Sequence, residues 1–247
     1  MKVKGECMMI KSKSVKNKRF NLVSVFMVVF LLFGCMATVI AQENMVDTDA
    51  LTDELMKWSQ EVDEMTLVWW IPEEYWEAIF AQDPDSTVDQ AEEFMKVFRP
   101  YTILVVIDGK IGVFGGITYE SEATIQASIK LKDSEGTRYL PISEDTIDTD
   151  TKNFLSMMEP LFANMLGPMG ENMHPFLFPS MNKKNQKIAE AKKEGTFSVE
   201  LGEREFIWRL PMGSLLPPKI CPTCGEKLSG AYKFCPWDGS KLPDMKK

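Results

Sequence analysis

The chain has 247 residues, with 28 basic and 36 acidic side chains and a formal net charge of -8. Seven of the basic residues and one of the acidic ones precede residue 42, so residues 42–247 carry 21 against 35, a net charge of -14. Such a surface repels nucleic acid and anionic lipid, which excludes nucleic acid as a partner. About 200 residues suffice for one good core and a small appendage.

The first 19 residues hold Lys2, Lys4, Lys11, Lys13, Lys16, Lys18 and Arg19 against a single Glu6, and residues 20–42 are uncharged. A basic stretch followed by an apolar one is the layout of an export leader. Val39 and Ala41 supply a cleavage site, and removal of residues 1–41 by cleavage after Ala41 is the preferred reading. Two others stay open. Leu32-Phe33-Gly34-Cys35 resembles a bacterial lipobox with Cys35 as the lipidated residue, and the uncharged run is long enough to be retained as an anchor. The expected location is extracytoplasmic, periplasmic or secreted, with the membrane a partner only if this segment is retained or lipidated.

Residues 43–100 read as helical. Leu51, Leu55, Trp58 and Val62 share one helical face. Pro72 with Glu73 and Glu74 marks a helix start leading to Tyr75, Trp76 and Phe80. Ala91, Phe94, Met95 and Phe98 follow a Thr87/Gln90 capping box and stop at Pro100. The period then changes to two. Residues 102–107, an Asp108-Gly109 turn and residues 111–114 predict a hairpin, and Gly112, Gly115 and Gly116 read as strand punctuation. Ile125, Ala127, Ile129 and Leu131 alternate with polar residues as a half-buried strand, followed by a turn at 133–136 and a strand at 137–142. Residues 152–165 predict a helix that Pro160 kinks or divides. A second hairpin, with Phe197, Val199 and Leu201 before Gly202-Glu203 and Phe206, Trp208 and Leu210 after it, closes the domain. The fold class expected is α+β, with amino-terminal helices packed on a mainly antiparallel sheet. The division expected is an α+β domain over 43–215 and a small tail over 219–243, joined through Pro211, Pro217 and Pro218.

The tail carries the one specific chemical signal. Cys221-Pro222-Thr223-Cys224-Gly225-Glu226-Lys227-Leu228 and Cys235-Pro236-Trp237-Asp238-Gly239-Ser240-Lys241-Leu242 agree at their first, second, fifth, seventh and eighth positions. Each copy sets two ligand-type side chains three apart around a bend, with Gly after the second so that the backbone turns back. Over residues 219–242 the tail resembles the zinc ribbon family. The resemblance implies a structural Zn2+ held by Cys221, Cys224, Cys235 and the residue in the fourth place. Asp238 stands there instead of a cysteine, and a carboxylate is a legitimate zinc ligand. His174, the single histidine, is the other donor by type, without a knuckle around it. Two further readings stay open: a disulfide, which would strand one of three thiols, and a redox Cys-x-x-Cys.

Other constellations are less specific. Met157, Met158, Met165, Met169 and Met173 crowd toward His174 as copper(I) ligands would, although methionines at helical spacing more often fill a core. Trp69, Trp70, Tyr75 and Trp76 could line a groove or pin a helix to a sheet. One histidine, no nucleophile elbow and no metalloprotease helix leave only carboxylates as candidate acids and bases, so no catalytic residue is singled out. The function expected is that of an exported, non-enzymatic binding or assembly protein whose tail meets another protein, with Trp237 as the partner-facing aromatic. The alternative is an extracytoplasmic hydrolase using carboxylates in a cleft of the sheet.

Overall fold

The computed structural model describes residues 46–243, so the expected leader, its expected cleavage after Ala41 and the lipobox reading of Cys35 fall outside the described residues. Among the described residues no helix is long and apolar enough to cross a membrane.

Helix α1 (Thr48–Leu55) starts at Asp47, whose carboxylate accepts from the Ala50 amide at 3.0 Å, and it buries Leu51 and Leu55. Residues 43–100 are not wholly helical, because strands β1 (Met56–Trp58) and β2 (Leu67–Ile71) follow. Trp58 and Val62 are exposed there instead of extending the stripe of Leu51 and Leu55. The run Leu67-Val68-Trp69-Trp70-Ile71 is β-branched and aromatic and apolar on both faces, as a strand covered on both sides requires, and helical spacing does not register it. Helix α2 (Glu73–Gln82) has Pro72 at its cap, and α3 (Val88–Phe98) begins at the complete Thr87/Gln90 capping box.

Strand β3 (Tyr101–Ile107) pairs with β2, not with the segment after Asp108-Gly109. The hairpin beyond it is formed by β4 (Gly109–Ile111) and β5 (Ile117–Tyr119), and the chain reverses at residues 112–116, where Gly115 has φ 81°. Two contacts displace the expected turn. Asp108 is engaged by Arg204 and Thr66, and a Cβ on Gly109 would lie 3.0 Å from Ile117 Cγ2, so this glycine serves close strand packing. Phe114 is fully exposed at the reversal.

The alternation at 125–131 also misleads. Ser121 caps helix α4 (Glu122–Ser128) by accepting from the Thr124 amide, and only β6 (Ile129–Lys132) is extended. Ile125 and Ile129 satisfy helical and extended spacing alike. Strand β7 (Arg138–Tyr139) is shorter than the expected 137–142. Helix α5 (Thr149–Leu166) keeps Pro160 in its interior and runs past it undivided. Strand β8 (His174–Pro179) was hidden by its two prolines, which an edge strand tolerates. Strands β9 (Gly195–Leu201) and β10 (Arg204–Leu210) form the expected hairpin around Gly202, with Leu201 opposite Arg204. Short strands β11 (Lys219–Ile220) and β12 (Lys227–Leu228) open the tail.

The architecture is α+β with antiparallel sheets. One sheet has the order β1-β2-β3-β8 and the other β10-β9-β6-β7. The first is covered on both faces. Val68, Trp70, Leu104, Val106, Phe176 and Phe178 meet the inner face of the second sheet, where Phe197 and Trp208 stack at 5.0 Å. Leu67, Ile71, Ile103, Val105, Ile107 and Leu177 alternate with them and face the helices, among them Phe98 and Phe162. Trp208 is fully buried, and its indole N–H donates to the Leu55 carbonyl at 3.0 Å, tying β10 to the end of α1. Arg204 ties the opposite end of β10: its guanidinium donates to both oxygens of Asp108 at 2.9 and 2.6 Å and to Glu64 and Thr66. The outer face of the second sheet is wet and carries cross-strand ion pairs such as Arg138–Glu200.

Candidate metal centre

The tail has a cluster of its own, made of Cys221, Leu228, Cys235 and Leu242. Each copy of the repeated octapeptide closes the same way. The Gly225 amide donates to the Cys221 carbonyl at 3.0 Å and the Gly239 amide to the Cys235 carbonyl at 3.0 Å, with φ of 76° and 74° at the two glycines. That backbone region is open to glycine at no steric cost, which is why both copies carry one after the second ligand position.

Two such bends bring four side chains together. One donor atom each from Cys221, Cys224, Cys235 and Asp238 lies within 4.8 Å of the others, close enough to bind one metal ion. His174, on β8 opposite Val106, is not part of this group. The Cys224 and Cys235 sulfurs are 3.8 Å apart, and Cys221 Sγ is 3.3 Å from an Asp238 oxygen. A tetrahedral ion with metal–sulfur bonds of about 2.3 Å needs a sulfur–sulfur edge of about 3.8 Å, whereas a disulfide needs about 2.05 Å. The three cysteines are free thiols.

The electrostatics of the donor set suit a cation. Burial pushes the Cys221 thiol up, but the Cys224 amide, the Ser240 hydroxyl and the Thr223 amide outweigh it and bring its pKa below the usual thiol value. Cys224 is drawn down by the Glu226 amide yet pushed up to about 12, because Cys221, burial, Cys235 and Asp238 all favour its protonated form. Asp238 is held well below the usual carboxylate range by the Ser240 hydroxyl and amide. Anionic donors this close retain a proton between them, and a bound dication displaces it.

Ser240 is the residue that sequence reasoning missed. Its amide donates to Asp238 Oδ1 at 2.8 Å, its hydroxyl also donates to that oxygen, and the same hydroxyl lies 3.2 Å from Cys221 Sγ. It thus orients the Asp238 carboxylate. A signal was present: the two octapeptides differ at three positions, Thr223 against Trp237, Cys224 against Asp238 and Glu226 against Ser240, so the change of the fourth ligand comes with a hydroxyl two residues on.

The other candidates separate. Met158, Met169 and Met173 pack into the helix-side core, and Met157 is exposed on α5. Trp70 is buried between the sheets, while Trp69, Tyr75 and Trp76 form an edge-to-face chain reaching Phe94, Phe98, Phe154 and Phe162. These aromatics pin helices to the sheet. Glu74 is the carboxylate raised by burial, in a cavity of about 40 Å³ that also contains Glu73. Glu73 pairs with Arg99 at 2.7 Å and Lys187 at 3.5 Å. Trp237 is 76 % exposed and Phe234 60 %, so both present apolar rings to solvent beside the Cys/Asp cluster.

Comparison with known protein families, with curated protein sequences and with solved structures finds no match for this chain.

Proposed function

We propose that this protein is exported and acts as a non-enzymatic binding or assembly protein, with a zinc ribbon at its carboxyl end that presents a small recognition surface to another protein. The observation that carries the reading is the convergence of three sulfurs and one carboxylate from two matching bends. Zinc is the metal this donor set suits: it takes four ligands without a geometric preference of its own, and thiolates with one oxygen are within its range. Its role is structural, because four protein ligands leave no open position for a substrate.

A cluster of Cys221, Leu228, Cys235 and Leu242 is too small to order some 25 residues by burial, and metal binding supplies the missing free energy. With the bends fixed, Trp237 and Phe234 stand in solvent where a partner can cover them. Export is supported by the basic and then uncharged amino-terminal 42 residues.

Intact mass of the protein purified from a cell envelope or culture-medium fraction tests the export reading. A mass matching residues 42–247, or that of a chain lipidated at Cys35, or that of a full chain held in the membrane, agrees with the reading. Full-length protein free in the cytosol sinks it.

A further inference from the structure

Between strand β10 and the tail lies an open cleft of about 410 Å³. Its walls are Lys57 from β1, Ile207 and Arg209 from β10, Met212 from the connection, and Tyr232 from the tail. The connection and the tail approach closely: a Cβ on Gly213 would come within 2.0 Å of the Ser229 side-chain oxygen, and one on Gly230 within 2.5 Å of the Pro217 carbonyl. Both glycines let the tail pack closely on the connection beside the cleft.

Two features define what fits it. The first is charge. In a chain of net -14 beyond residue 41, Lys57 and Arg209 face this cleft, and among the described residues neither has a carboxylate partner. Glu54 is the one acid among the lining residues and accepts from the Ser214 amide at 3.2 Å, so the lining carries two cations against one carboxylate.

The second feature is backbone. Among the described residues, strand β10 lies at the end of its sheet and pairs with β9 alone. Leu201 and Arg204 close a two-residue turn, which makes them a hydrogen-bonded pair, as are Phe206, Trp208 and Leu210 with their partners. Glu205, Ile207 and Arg209 accordingly direct their N–H and C=O groups away from β9. Ile207 and Arg209, and not the residues between, line the cleft. An extended chain can satisfy those groups by adding as a strand, and because Ile207, half exposed, and Arg209 share one face of β10, the side chains of one parity in that chain meet both.

We propose that this cleft binds an extended acidic peptide segment of a partner protein, alternating carboxylate and apolar side chains, as an added strand on β10. The inference rests on the binding-protein reading above and names the partner's chemistry.

Fluorescence polarisation of the full chain, zinc-loaded in a mild non-ionic detergent, tests it with fluorescein-labelled heptapeptides of alternating Asp and Leu or alternating Lys and Leu. The acidic peptide should saturate below about 100 μM and the basic one should not. Lys57→Glu with Arg209→Glu should weaken the acidic peptide at least tenfold. Ile207→Pro, which removes an outward amide that β9 does not use, should do the same with the thermal transition retained. If Ile207→Pro disturbs the fold, the charge variants still decide. Equal binding of both peptides, no saturation by the acidic one, undiminished affinity in the charge variants, or equal binding of a labelled single-stranded oligonucleotide overturns the proposal. Metal content read in the same samples keeps the two claims apart, since one zinc per chain without peptide binding removes the groove and leaves the ribbon.

Discussion

Ser240→Ala removes a single hydroxyl that touches two of the proposed ligands, Asp238 and Cys221. The Ser240 amide, 2.8 Å from the same Asp238 oxygen, remains in place. Loss of an outer-shell partner weakens metal binding by about 10- to 100-fold. With one of the two donors to the carboxylate retained, the expected loss is about tenfold, the lower end of that range. Competition for zinc against a chromophoric chelator reads the change directly, with Asp238→Ala measured beside it. The account expects a graded series in which Ser240→Ala lies between the unaltered chain and Asp238→Ala. Ser240→Ala binding as tightly as the unaltered chain, or as weakly as Asp238→Ala, refutes the argument that Ser240 orients the fourth ligand.

Two further outcomes follow from the body of the fold. Trp208→Phe leaves the buried Leu55 carbonyl without its donor and opens a void between the sheets. The loss should be about 2–4 kcal/mol, which lowers the thermal midpoint by roughly 5–15 °C, and a midpoint unchanged within a degree or two contradicts it. Asp148 caps α5, and the Thr151 hydroxyl and amide, with the Tyr101 hydroxyl, hold its carboxyl at about 2 against an ordinary 3.8. A folded-state value below the unfolded one gives stability that is complete above pH 3.8 and lost as pH falls through about 2. Acid titration followed by circular dichroism should therefore show a shallower loss in that window for Asp148→Asn than for the unaltered chain, and parallel curves count against the cap.

What the sequence disclosed tracks how local each signal is. The octapeptide repeat needs only its own eight residues to bend, so Cys221, Cys224, Cys235 and Asp238 could be named before any coordinates, and they do lie together. The hairpin of β9 and β10 was equally legible, since Gly202 and the alternation on either side specify turn and register within 16 residues. Strand β2 was not, because its partners β1 and β3 cover its edges and two layers cover its faces, leaving no polar alternation to read. Asp108-Gly109 failed for a long-range reason: Arg204, 96 residues away, holds the aspartate that would otherwise open a turn. Ser240 went unnoticed because its role depends on a hydroxyl reaching across to Cys221 in the other bend.

Elemental analysis of the purified protein, with thiol titration on the same sample, addresses the metal centre most directly. One zinc per chain, lost together with the protection of Cys221, Cys224 and Cys235 from alkylation when a chelator is added, is the predicted result. A chain that carries no stoichiometric metal, its three cysteines open to alkylation or two of them joined in a disulfide, contradicts the account.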